Sequence, residues 1–181
     1  MLVRTLFLSL ILAVCFSVVI DTGIKQAAGP GPSFDPKKYQ GKWYEIVRSR
    51  NLFFEGKAAT IQYQYNDKNQ SMKIRKSMNY FGRRITLKAT ATWHHDVPSI
   101  WSVKPEYWIL NRICFNYTIL DTDYDNYSVV YSLNKVFDRW IIDMVWIISR
   151  TPELSHDLLA HAITVVETNT RFKRDDLVPV R

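Results

Sequence analysis

The side chains that could do chemistry in this chain rarely stand together. His94 and His95 are adjacent, and neighbours on a strand point to opposite faces. No third ligand accompanies them at a useful spacing, so no metal is expected. Asp21-Thr22-Gly23 has the wording of an aspartic-protease triplet, but a chain of 181 residues has no second copy to supply the partner carboxylate. Cys15 and Cys114 are the only cysteines. Cys114 has the parity opposite to Phe115 and Tyr117, which makes it a buried or outward structural thiol rather than a nucleophile. No catalytic residue and no cofactor are assigned. Lys76 is different, because it shares one strand face with Met72, Ile74 and Met78. An ammonium buried without a partner is costly, so the lysine is expected near an opening. There it either lies along the apolar wall with its head in water or anchors the acidic head group of a ligand.

The elements that position these residues follow from periodicity. From Gly41 to Arg150 the dominant period is two: Ile61, Tyr63 and Tyr65 alternate with polar residues, as do Met72, Ile74 and Met78, and Ile85, Leu87, Ala89 and Ala91. Such alternation describes strands with one apolar and one wet face. Turn residues fall between them, at Asn66 to Asn69, Phe81-Gly82, Asp96 to Pro98, Asp121 to Asn126 and Asn134-Lys135. Strands are expected to centre near Tyr44, Gln62, Arg75, Lys88, Ser102, Tyr117, Val130 and Val145. After Pro152 the period lengthens, with Leu154, Leu158, His161 or Ala162, and Val165 three or four apart, which predicts one helix capped by Thr151 or Ser155. The fold class is all-β: eight antiparallel strands closed into an up-and-down barrel, which removes the edges, with a C-terminal α-helix packed outside. A barrel of this size can hold one small ligand. Periodicity alone leaves a filled barrel or a sandwich open.

The N-terminus reads separately. Arg4 precedes an apolar run from Leu6 to Ile20, interrupted only by Ser9 and Ser17, and Asp21-Thr22 follow. The run is short of the ~20 residues of a helical span and has the form of a secretory signal peptide over residues 1–22. An uncleaved anchor is the alternative. A lipoprotein box at Leu12 to Cys15 is disfavoured by the bulk of Val14. Residues 23–33 are a flexible lead-in, 34–176 the barrel and helix, and 177–181 a tail. The protein is expected to be secreted and extracellular. The net charge of +7 reads as basic residues dispersed over solvated outer faces, without the stripe that nucleic-acid binding would need.

Three motifs carry a resemblance. Gly41-Lys42-Trp43 opens the first strand, Thr122-Asp123-Tyr124 forms a turn before Tyr127 to Ser132, and Met144 to Ser149 ends in Arg150 just before the helix. In this order and spacing they resemble the lipocalins, in wording closest to the apolipoprotein D, Lazarillo and bacterial lipocalin branch. The resemblance implies a closed barrel end where the Arg150 guanidinium crosses the Trp43 ring, and a cavity above it. It implies a carrier of a small hydrophobic ligand, such as a fatty acid or other lipid, sterol, retinoid or bilin-type pigment. The ligand contacts expected from parity and resemblance are Tyr63, Ile74, Lys76, Met78, Tyr107, Met144 and Trp146. Nucleic acid is not an expected partner; a transient membrane or receptor contact is left open, as is the oligomeric state. The alternatives are a lipid-modifying enzyme using Cys114, or a protein-interaction module with a filled cavity.

Two departures from the family pattern stand out. The positions resembling its disulfide cysteines are Ala58 and Leu133 here, so stability is expected to rest on packing. Residues 111–121 intervene between Tyr107 to Leu110 and the second motif, as an insertion or a change of register. Three N-x-S/T sequons mark Asn69, Asn116 and Asn126 as candidate glycosylation sites.

Overall fold

The structure, a computed structural model, describes residues 30, 33–50, 56–107, 114–136 and 140–180, with no side-chain detail at 135, 136, 140 and 141. The signal-peptide reading, most of the lead-in, Cys15 and the segment Trp108 to Leu110 lie outside these residues.

Eight strands form where the alternation places them: β1 Gly41–Ser49, β2 Lys57–Asn66, β3 Ser71–Tyr80, β4 Arg83–Trp93, β5 Ile100–Pro105, β6 Phe115–Thr122, β7 Tyr127–Val136 and β8 Trp140–Ser149. Each pairs antiparallel with the next, β8 pairs with β1, and β1 pairs with β2, which closes the barrel. Antiparallel order puts the β2–β3, β4–β5 and β6–β7 connections at the end where β1 begins. The β1–β2, β3–β4, β5–β6 and β7–β8 connections lie at the other end, the mouth.

The segment 177–179, expected as part of the tail, is a ninth strand, β9 Leu177–Pro179, antiparallel to Val47–Ser49. The register of β1 with β2 runs only from Gly41 to Tyr44, and β8 occupies the other edge of β1. A strand has two hydrogen-bonding edges, so β9 takes the stretch that β2 leaves. A short 3-10 turn, Arg174–Asp176, leads into it.

One helix, α1 His156–Asn169, follows the barrel. Ser155 rather than Thr151 is its N-cap, with its hydroxyl accepting from the Leu158 N–H. The apolar side chains then divide into two layers. Val129, Val145 and Ile147 face outward and pack under Ala162, Ile163 and Val166 of α1. Trp43, Tyr63, Met72, Trp101, Ile119, Val130, Trp146 and Ile148 face inward.

Candidate functional site

The closed end is built around Arg150. Its guanidinium carbon lies 3.9 Å from the centroid of the Trp43 ring, a cation–π contact made stronger by desolvation. Its Nε donates to the Tyr124 carbonyl at 2.8 Å, Nη1 to that of Lys42 at 3.3 Å and Nη2 to that of Lys38 at 3.2 Å. Gly41 has φ +108, and a Cβ there would lie 2.8 Å from Nη1, so only glycine admits the arginine. Trp43 is fully buried, its indole N–H on the Tyr39 carbonyl. Burial lowers the Arg150 pKa and pushes that of the Tyr39 hydroxyl well up.

The Thr122-Asp123-Tyr124 turn holds the carbonyl that Arg150 needs. Asp123 Oδ1 accepts the N–H groups of Asp125, Asn126 and Tyr127, and Oδ2 accepts the Asn126 amide. Thr122 Oγ1 donates to the Tyr127 carbonyl and accepts from the Tyr124 N–H. Tyr124 sits at φ 67, and its hydroxyl accepts from the Asp35 N–H.

Above this floor the interior is a ladder of rings. Tyr39 stacks on Trp43, Trp101 meets Tyr39 and Tyr63 edge-on, and Tyr117 stacks on both Trp101 and Trp146. Tyr63 and Tyr117 share a hydrogen bond of 3.0 Å between hydroxyls. Burial, followed by the Tyr117 hydroxyl, holds the Tyr63 pKa well above its usual value. The Tyr63 phenol therefore stays neutral as a hydrogen-bonding group at the top of the ladder.

A charged cluster sits beside Trp146. The Glu45 side chain is wholly buried. Its Oε2 lies 2.9 Å from Lys76 Nζ and its Oε1 3.1 Å from Arg48 Nη1, and Lys76 also stands 5.4 Å over the Trp146 ring. Oε2 has no aligned hydrogen bond among the described residues, so its contact with Lys76 is one of charge. Arg48 reaches the cluster because β1 is irregular between Glu45 and Val47. In a regular strand residues 45 and 48 would face opposite sides; the bulge turns Arg48 back inward, and it also donates to the Gly56 carbonyl. Lys76 is thus not a lone charge on its strand face. It is one corner of an interior ion cluster, and Glu45 and Arg48 were not anticipated. Glu45 was within reach, since it lies two residues from Trp43 and shares its face.

Toward the mouth the inward faces become accessible. Leu87 pairs with Lys76 in register and is 39% exposed; Ile142, in phase with Met144 and Trp146, is 43% exposed. Ile74 and Met144 are half-buried, while Met78 is buried with its sulfur on the Gly56 N–H. The ladder between β6 and β7 begins at Thr118. Closer to the mouth Ser132 and Asn134 bridge the two strands instead, bonding the Asn116 carbonyl and N–H. The expected contacts Tyr63, Ile74, Lys76, Met78, Met144 and Trp146 all come from β2, β3 and β8 onto this inner surface. Tyr107 does not join them: it is exposed just beyond β5, with its hydroxyl donating to the Thr86 carbonyl. Its assignment came from the resemblance, beside the region where 111–121 departs from the family pattern.

Cys114 is exposed just before β6, with no place in the inner cluster. His94 is exposed beside Asp96, and no group of three metal-ligating side chains occurs among the described residues. Asn69 lies in the β2–β3 turn and Asn116 on the exposed side of β6. The Asn126 amide is engaged by Asp123.

Comparison with known proteins places this geometry. The model of a lipocalin-like domain matches residues 34–178. Apolipoprotein D of Mus musculus is 28% identical over 137 residues, covering 76% of this chain and 71% of the relative. The outer membrane lipoprotein Blc of Citrobacter freundii is 26% identical over 150 residues, covering 82% and 80%. Among solved structures, lobster apocrustacyanin A1 superposes with a TM-score of 0.68 at 19% identity, covering 94% of this chain and 89% of that one. The cockroach allergen Per a 4 gives 0.63 at 21%, covering 82% and 88%.

Proposed function

The chain belongs to the lipocalin family, and on that premise we propose that it is a secreted, non-enzymatic carrier of one small hydrophobic molecule. The ligand enters through the mouth and rests on the ring ladder. One observation carries the reading: inward-facing Leu87 and Ile142 stay 39% and 43% exposed, whereas inward-facing Trp43, Tyr63, Trp101 and Ile148 nearer the closed end are buried. An apolar surface left open to solvent inside a closed barrel is what a ligand would cover. The floor is occupied by Tyr39, Trp43 and Trp101, so the ligand sits above Tyr63. Fatty acids and related lipids, sterols, retinoids and bilin-type pigments have the required apolar body. A polar end would meet the Tyr63–Tyr117 hydroxyls or the Glu45–Lys76–Arg48 cluster. Residues 1–22 direct export, and Asn69, Asn116 and Asn126 are the acceptors for glycans.

Titration with a panel of these ligands, followed by tryptophan fluorescence, tests the proposal. Quenching that saturates at one ligand per chain, and that is largely lost in Trp146→Phe, is expected. If no member of the panel quenches and no small molecule co-purifies with native protein, the carrier reading fails and the filled-barrel alternative replaces it.

A further inference from the structure

The charge of this protein is not spread over its surface. Between Lys68 and His95 there are seven Lys and Arg and no Asp or Glu, against 24 and 17 in the whole chain. The remainder therefore carries 17 of each sign; Lys76 is turned inward to Glu45, and the other six cations are exposed on the β3–β4 hairpin and its flanks. This corrects the impression of dispersal gained along the sequence. Register places Lys73, Arg75, Arg84 and Lys88 on the outer face, with Arg75 and Lys88 as direct cross-strand partners, an arrangement of like charges that works against pairing. Arg84 donates to the Ala58 carbonyl, Asn79 and Thr60, all neutral. No ion pair among the described residues involves Lys73, Arg75, Arg83, Arg84 or Lys88.

The tip of the same hairpin carries an aromatic ring in a place that local physics disfavours. Phe81 is 91% exposed. It has φ 47 and Gly82 has φ 75, which are the two positive values of a type I′ turn. Asparagine or glycine is the natural first residue of such a turn, and a bulky side chain is an outlier there. Its ring meets only that of Tyr80, edge-on at 4.6 Å, among the described aromatic rings. The turn lies at the mouth, on the side opposite Trp43.

We propose that the β3–β4 hairpin is a docking surface for an anionic lipid layer, with Phe81 entering the headgroup region and the surrounding arginines and lysines meeting lipid phosphates and carboxylates. The charge asymmetry and the exposed ring point to the same partner. A soluble polyanion would satisfy the cations and leave the ring unexplained. A lipid interface takes both, since basic residues add attraction to an anionic leaflet and an apolar ring gains by entering the boundary between headgroups and chains.

The experiment is co-sedimentation with vesicles of phosphatidylcholine alone and with vesicles in which about a third of the lipid is phosphatidylserine. It uses the protein with its native N-terminus, common to all variants, so differences between variants isolate the hairpin. Binding about tenfold tighter to the anionic vesicles, weakening as salt is raised, is expected. Phe81→Asn is expected to reduce that binding several-fold while leaving Tm unchanged or higher, because asparagine suits the turn. Arg83→Gln with Arg84→Gln is expected to reduce it as well. Equal binding to both vesicle types, or undiminished vesicle binding by folded Phe81→Asn, overturns the proposal. Heparin binding that survives Phe81→Asn in a protein that ignores vesicles also overturns it and assigns the face to a soluble polyanion.

Discussion

Arg150 spends every nitrogen of its guanidinium on backbone carbonyls from two distant stretches of chain while lying against Trp43. That density makes Gly41 the most sensitive small residue of the closed end. Gly41→Ala introduces both a disfavoured backbone angle and a Cβ at 2.8 Å from Nη1. It is expected to cost about 1–3 kcal/mol, read as a lower Tm in calorimetry. Gly82→Asn is the control, since asparagine tolerates a positive φ and a Cβ there meets nothing within 4 Å; its Tm should stay close to wild type. At this scale the sequence was informative where spacing fixes contact. Gly41, Trp43 and Arg150 were legible from their motifs. Arg48 was not, because a one-residue bulge reverses parity and leaves no mark in composition.

Among the elements, the β6–β7 turn depends on one carboxylate. Burial alone would raise the Asp123 pKa, but hydrogen bonds from the Asn126 side chain and from the backbone of Asn126, Tyr127 and Asp125 outweigh it, and the net shift is downward. A carboxyl held below its unfolded value contributes stability that is fully present above that value, near 3.8, and lost as pH falls through the folded one. Stability measured from pH 7 down into the acid range should therefore fall less in Asp123→Asn than in wild type, the difference opening below about pH 4. Equal acid losses would show that the turn does not depend on the charge. The eight strands and the helix were legible because each carries a sustained period. β9 was not, because three residues are too few to display one, and its partner edge on β1 exists only because β2 departs at Tyr44.

For the molecule as a whole, closure was legible, and the division of the core was legible in β8, by parity with Arg150, but not in β7. In β7 both Val129 and Val130 are fully buried, as are Ile147 and Ile148 in β8, one of each pair facing the rings and the other facing α1. Apolar residues on both faces erase the alternation that would say which side is the interior. The aromatic ladder was likewise hidden, since Tyr39, Trp101 and Tyr117 come from separate elements and meet only when the barrel closes. The Arg150 contacts have a kinetic side. They join residues 108 and 112 positions apart, so their chain entropy is paid before they return any stability, and they belong to the slow class of non-local contacts. If they form after the rate-limiting step, Arg150→Ala accelerates unfolding and leaves the refolding rate nearly unchanged in stopped-flow measurements; a matching drop in the refolding rate would place them in the transition state instead. A clasp of that kind acts as a latch on lifetime, setting how long a closed barrel persists before it next opens to proteases or to exchange with solvent.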